Sequence, residues 1–479
     1  MFYIYIVNKL IPFFAFVASL LFLTLVSCEK ETTPSETGDE TLILLDDEDI
    51  LKQVVHSPNT AFYKDIFLDG GCELNPGIKE NGVVINGRLP YALEKAEIKE
   101  AEYFLATVDD VANGYTDSDQ LLQNKIFSGT PDDINGVLLY PDGEPRYRLF
   151  YSFGGHSGPH GRTLGTSGRE NVNTFYRNGG SYVGSCAGAY LAGKYASGSL
   201  SSYYNIWEGG NMKGTGVSNS SIEIVMETDI FQEKYYGPSY HSLIAGVRHN
   251  GGGYMDVNMA PVGTEILGRF KNQKGKDSSS KGFFDQPGIW AYKKSDETGR
   301  LVVTGSHPED AASGAILNMT ASMFRYAWDG VGDAKVKAVL HNGEYIYMSR
   351  KTTDCKPQRT RIGDLQCHHF VLWLAAGVPS LELQMKGEGD YRMELYLKKD
   401  DFAFPDNEPD YSAVTPANSQ TIVTGPLDKG LWYVTVRCAS TVTATENYID
   451  KDKKLGRYFV YSGDCGVLNG VPYSIVAKW

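Results

Sequence analysis

The hydrophobic pattern of this chain changes its period along the sequence. It opens on a nearly unbroken apolar run, "MFYIYIVNKLIPFFAFVASLLFLTLVSC", with Lys9 inside it. A polar stretch follows, "EKETTPSETGDET". Short apolar runs then alternate with segments of helical spacing. "RLPYALEKAEIKEAEYFLATV" (88–108) predicts a helix, as does "RENVNTFYRNGG" (169–180), which ends at glycine. "YRLFYSF" (147–153), "SYVGS" and "RLVVTGS" (300–306) predict strands. "AGAYLAGKY" starts another helix, and "AASGAILNMTASMFRYAW" is a further one. Strands alternating with helices predict a doubly wound, mostly parallel sheet covered on both faces. From about Val331 the period drops to two. "HHFVLWLAAG", "SLELQMKGEGDYRMELYLKK", "GLWYVTVRCAS" and "GVPYSIVAKW" read as strands separated by Gly, Asp and Pro turns. That grammar predicts an antiparallel β-sandwich.

Composition narrows the class. The chain has 479 residues, 42% hydrophobic and 22% charged, which fits a globular protein of two or three domains. Net charge is −13 with no basic stripe, so a nucleic-acid partner is not expected. The opening apolar run is too short and one-sided for a membrane span, and a secretory signal fits it better. "Leu25-Val26-Ser27-Cys28" resembles the lipobox of bacterial lipoproteins, with Cys28 lipidated; an uncleaved signal anchor is the alternative. The expected organisation is therefore a signal peptide at 1–28, a flexible tether at 29–55, an α/β domain at 56–330 and a β-sandwich at 331–479. The expected location is the bacterial cell envelope, lipid-anchored at the outer membrane or cell surface. Export makes pairing expected among Cys72, Cys355, Cys367, Cys438 and Cys465, with Cys355–Cys367 and Cys438–Cys465 the shortest loops. "Cys367-His368-His369" has no second ligand cluster at metal spacing, so no metal or other cofactor is expected.

Two stretches carry chemistry. "Gly184-Ser185-Cys186-Ala187-Gly188" lies where a strand turns into a helix and matches a nucleophile elbow with cysteine in place of serine. Its flanking glycines admit the sharp turn, the helix N-terminus favours the thiolate, and the Ala187 N–H is placed for an oxyanion. A buried core thiol is the plain alternative. "Thr304-Gly305-Ser306-His307-Pro308-Glu309" supplies a base and a carboxylate, and an extended backbone would project His307 and Glu309 to one side.

These paired motifs resemble the class I glutamine amidotransferase-like superfamily, a flavodoxin-like α/β fold. They are most similar to the amidotransferase-like N-terminal domain of biotin–protein ligases, through Gly168–Tyr190 and Thr304–Glu309. The resemblance implies Cys186 as nucleophile, His307 as general base and Glu309 as its orienter. It implies Gly154 and Gly155 as a second oxyanion loop beside Ala187, and "HNGGGY" (249–254), with Asn250 and Gly251, as a loop lining the site. Glutamine amidotransferases carry Gln four residues after the nucleophile, where this chain has Tyr190 as a lining residue, and no ammonia-accepting domain or P-loop follows. The C-terminal part resembles a pre-peptidase C-terminal domain, which implies an accessory role on a surface glycan or protein. The expected activity is a Cys-His-Glu amidase or hydrolase acting on a small-molecule or peptide amide, or an ester, through an acyl-thioester. A non-catalytic surface-binding protein on the same scaffold is the alternative.

Overall fold

The computed structural model describes residues 45–69, 78–80, 83–85, 87–104, 137–195, 202–271, 283–351, 356–450 and 455–479. Cys28, Cys72 and Cys355, with the signal and most of the tether, lie outside them. The described residues belong to one compact unit, Ile43–Trp479.

Nine strands form the central sheet: β1 (Lys64–Asp69), β2 (Ala101–Phe104), β3 (Tyr147–Ser152), β4 (Ser181–Ser185), β5 (Ser220–Met226), β6 (Leu243–His249), β7 (Glu265–Lys271), β8 (Pro287–Lys293) and β9 (Arg300–Thr304). Their order is β6-β5-β7-β8-β9-β4-β3-β1-β2. The ladders from β2 to β9 are parallel. Those from β9 to β6 are antiparallel. The expectation of a mostly parallel sheet is thus corrected, because β5 to β8 add four antiparallel strands, with β6 outside β5 and β7 joined to the other edge of β5.

Helices cover both faces, as the continuous apolar runs of β3, β4 and β9 require. On one face Leu68, Leu149, Tyr151, Val183 and Val302 pack against α1 (Leu89–Lys95) and α5 (Gly314–Trp328). On the other, Phe150, Tyr182 and Val303 meet α2 (Ser157–Thr163), α3 (Gly165–Arg177) and α4 (Ala187–Ala192). The helix expected over 88–108 ends early. Glu97 takes φ +60°, and the N–H groups of Glu97 and Ile98 return to the Glu94 and Leu93 carbonyls at 3.0 and 2.9 Å, a Schellman closure. The following "AEYF" then pairs with β1 as the edge strand β2. Tertiary pairing overrides the helical spacing there, and residues 105–108 are outside the described set.

Beyond Val331 two sheets stack. One contains Val336–Val339, Cys367–Leu374, Met393–Lys399, Tyr411–Ala413 and Gly430–Cys438. The other contains Tyr345–Met348, Glu382–Gly387, Ser419–Val423 and Tyr473–Lys478. Phe370, Leu372, Leu395 and Val434 meet Leu383 and Ile475 between them. All ladders in the two sheets are antiparallel except that of Val336–Val339 with Cys367–Leu374.

The expected Cys355–Cys367 and Cys438–Cys465 bonds are corrected: Cys367 and Cys438 are both free thiols, Cys355 lies outside the described residues, and Cys367 and Cys438 do not pair with each other either. They sit on neighbouring strands, where Cys367 pairs with Arg437, so the two-residue period sends the thiols to opposite faces of the sheet. Burial pushes both up to about 12. His368 and His369 diverge in the same way. His368 Nδ1 is 2.9 Å from the Tyr473 hydroxyl, and His369 Nδ1 is 2.8 Å from Thr435 Oγ1.

Buried charges join the α/β layers to the sandwich. Arg146 grips Asp364 through Nε and Nη2 at 3.1 and 2.8 Å. Lys337 Nζ reaches Asp142 and Glu144 at 2.7 and 2.6 Å. Replacing Arg146 by methionine strands Asp364 without its partner and should cost about 3–5 kcal/mol in denaturant titration. Adding Asp364→Leu should recover most of that loss. A single variant as stable as the parent would show that this pair does not hold the junction.

Candidate active site

The elbow forms where β4 runs into α4, at the carboxyl ends of the parallel strands. Cys186 sits there at φ +48°, ψ −103°, a strained conformation for a residue with a side chain. Its N–H donates to the Thr304 carbonyl of β9 at 2.9 Å, and the Gly188 N–H donates to the Phe153 carbonyl after β3 at 3.0 Å. Both flanking glycines are required sterically. A Cβ on Gly184 would lie 2.8 Å from the Gly188 carbonyl carbon, and one on Gly188 would overlap the Ser152 carbonyl. The turn therefore stays closed only with glycine on both sides of the thiol.

β9 ends beside β4, with Thr304 opposite Ser185. This register carries the chain past Gly305 and Ser306 to His307, next to Cys186. The route to Glu309 differs from the expected extended segment: Pro308–Asp310 form a 3-10 turn. The turn brings Glu309 Oε1 to 3.0 Å from His307 Nδ1. The other ring nitrogen is left for Cys186, which acts on the imidazole together with Glu309. Burial alone would lower the imidazole; Glu309 and Cys186 outweigh it and hold His307 at about 10. Cys186 and His307 are each 4% exposed and Glu309 5%, so the three groups are shielded from bulk water.

Ala187 is the first residue of α4, where a backbone N–H has no intrahelical acceptor. Gly154 and Gly155 follow β3, adjacent to β4, and Gly155 takes φ +128°. The Asn250 carbonyl accepts from Cys186 Sγ at 3.6 Å, so this loop touches the thiol through its backbone. Gly251 takes φ +70° with open space where a Cβ would stand. Tyr190 lies one turn past Cys186, 8% exposed, with its hydroxyl against Gly253.

The "HNGGGY" loop is clamped to the His307 strand. The His307 N–H donates to the Arg248 carbonyl at 2.9 Å. Thr215 Oγ1 gives its single proton to the Gly252 carbonyl at 2.8 Å, so at 2.7 Å it accepts from His249 Nε2–H. That leaves His249 Nδ1 to accept from Ser306 Oγ at 3.1 Å. Burial, with the nearby His307 charge, pushes His249 down to about 4, so it stays a neutral clamp. Arg248 pairs with Asp310 at the rim.

Three contributors were absent from the motif reading. Ser185 Oγ lies 3.0 Å from Glu309 Oε1, the Tyr151 hydroxyl lies 2.8 Å from Ser185 Oγ, and His249 locks the loop. Ser185 is inside the elbow motif and His249 opens the glycine loop, so each had a neighbouring signal. Tyr151 had none.

No family model matches the sequence, and no curated protein matches it. Among solved structures, the chain aligns with a glutamine amidotransferase at 16% identity over 37% of this chain and 80% of that one, TM-score 0.26. It aligns with a putative GMP synthase protein from Thermoplasma acidophilum at 12% identity over 56% and 94%, TM-score 0.30. It also aligns with the pre-peptidase C-terminal domain of a collagenase from Bacillus anthracis at 12% identity over 30% and 100%, TM-score 0.18.

Proposed function

We propose that this protein is a cysteine-nucleophile amidase or hydrolase of the class I glutamine amidotransferase-like type, with a flavodoxin-like, doubly wound domain at 56–330 and a pre-peptidase C-terminal-like sandwich at 331–479. One observation carries the reading: Cys186 sits on a strained strand-to-helix turn within interaction range of His307, whose Nδ1 is 3.0 Å from Glu309. In the proposed reaction the Cys186 sulfur attacks a carbonyl carbon of an amide or ester. The Ala187 and Gly155 amides receive the charge that develops on oxygen. Imidazolium His307 gives its proton to the departing amine or alcohol as the carbon–nitrogen or carbon–oxygen bond breaks. Water, deprotonated by His307, then cleaves the thioester and restores the thiol. The amidotransferase-like domain of biotin–protein ligases is the nearest pattern by motif. Tyr190 in place of Gln disfavours free glutamine as the substrate.

The test is labelling with a thiol-directed acylating probe at neutral pH. Burial pushes Cys367 and Cys438 up to about 12. The readout is the label on the Cys186 peptide, resolved from those of the other cysteines such as the partly exposed Cys465. Cys186→Ala should lose it. Equal labelling of the two proteins would remove the nucleophile assignment. The proposal extends to export and lipid anchoring through Cys28; Cys28→Ala should leave the membrane fraction, and an unchanged distribution would rule the anchor out.

A surface-binding scaffold is the second reading, favoured by Tyr190, only 8% exposed beside the nucleophile. Saturable binding of one ligand class with no turnover across amides, γ-glutamyl peptides and esters would select it.

A further inference from the structure

The nucleophile's own strand reaches the base's carboxylate by a second route. Glu309 Oε1 receives two partners, His307 Nδ1 and Ser185 Oγ, both at 3.0 Å. Its other oxygen, Oε2, is buried with no hydrogen-bond partner among the described residues, and faces a small cavity lined by Tyr151, Ser185, Pro308, Thr320 and Phe324. All the fixing of this carboxylate is therefore done at one oxygen. The protons can be assigned from chemistry. Ionised Glu309 only accepts, so Ser185 Oγ–H must donate to it. Ser185 Oγ then has only acceptor capacity left, so the Tyr151 hydroxyl donates to Ser185. Tyr151 is 2% exposed and Ser185 likewise 2%. Burial, with the Glu309 charge, keeps the phenol protonated, as the donor role needs.

We propose that Ser185, with Tyr151 behind it, is a positioning residue that holds the Glu309 carboxylate against His307, so that base and nucleophile are registered by the same strand end. The inference rests on the cysteine-nucleophile reading above. Ser185 touches no reacting atom; it acts through Glu309. Without it the carboxylate is free to swing away from the ring. With Glu309 displaced, less of the attraction that holds His307 up against its burial remains, so the imidazole titrates lower. The other titratable and charged groups around the pair are Cys186, neutral His249 and Arg248, the last paired with Asp310.

The experiment is alkylation of Cys186 by iodoacetamide across pH, with NMR titration of His307 and thermal melting on the same proteins. Ser185→Ala should slow alkylation at pH 7 by about tenfold, the scale of one hydrogen bond to a charged group, and lower the His307 titration midpoint. Ser185→Thr keeps the hydroxyl beside a cavity and should restore both. Tyr151→Phe, an isosteric change, should slow alkylation by about threefold as a neutral bond is lost, and add nothing in the Ser185→Ala background. Ser185→Ala with wild-type rate and His307 titration, Ser185→Thr as slow as alanine, or additive loss in the double variant would each overturn the positioning role. If wild-type Cys186 reacts no faster than in the urea-unfolded chain, the cysteine-nucleophile reading itself fails.

Discussion

Replacing His307 by glutamine should slow iodoacetamide alkylation of Cys186 at pH 7 by about tenfold or more, the scale of one charge-assisted contact, because it removes the cation that faces the sulfur. In the wild type an imidazolium faces the sulfur, held near a pKa of about 10 against its burial by Glu309 and Cys186. The pH dependence has a definite sign. Below about 6.5 the imidazole is protonated in folded and unfolded chains alike; between about 6.5 and about 10 only the folded chain keeps the proton. The stabilisation is therefore complete below about 6.5 and is lost as pH rises through about 10. Wild-type melting temperature should fall between pH 8 and 10, and His307→Gln should flatten that slope. A variant that alkylates as fast as wild type would show that the ring does not support the thiolate.

The second large effect belongs to backbone packing. Gly305→Ala should destabilise the fold by about 3 kcal/mol or more, since two main chains meet there with no room between them. A Cβ on Gly305 would overlap the Gly253 carbonyl, and one on Gly252 would overlap the Gly305 carbonyl. Neither clash can be relieved by turning a side chain. Gly251 is the contrast: its Cβ would stand in open space, so Gly251→Ala should cost only the strain of φ +70°, about 1 kcal/mol. Chemical denaturation of the two variants separates them. Because His307 follows Gly305 by two residues, Gly305→Ala should also depress Cys186 alkylation. Equal stability of the two variants would mean the loops are not in close contact.

The legible parts of the fold were those with strong local signals. The strands at 147–152, 181–185 and 300–304 and the long helix at 314–328 came from apolar runs and helical spacing over enough residues to be unambiguous. The strands from 220 to 293 were not foreseen, because each mixes polar and apolar residues and finds its place only by pairing with a neighbour. The segment at 88–108 was misread for a related reason: its helical spacing continues past Lys95, but "AEYF" gains more from joining the edge of the sheet. The expected Cys438–Cys465 bond did not form, since Cys438 is a free thiol buried in the sandwich core, and Cys355 lies outside the described residues.

The sequence by itself determined which groups this chain can bring to a reaction. The glycines around Cys186 demand a tight strand-to-helix turn, and Thr304–Glu309 places an imidazole two residues from a carboxylate. Those are local facts, set by backbone sterics and spacing. Only the tertiary structure decided how the groups meet. The parallel register of β4 with β9 sets the sulfur beside the ring, and a 3-10 turn aims the carboxylate. Ser185 and Tyr151 reach Glu309 from strands far away in sequence. Strand pairing joins residues whose separation along the chain carries no trace of the contact, so local pattern named the reactive groups while their supports came from the assembled sheet.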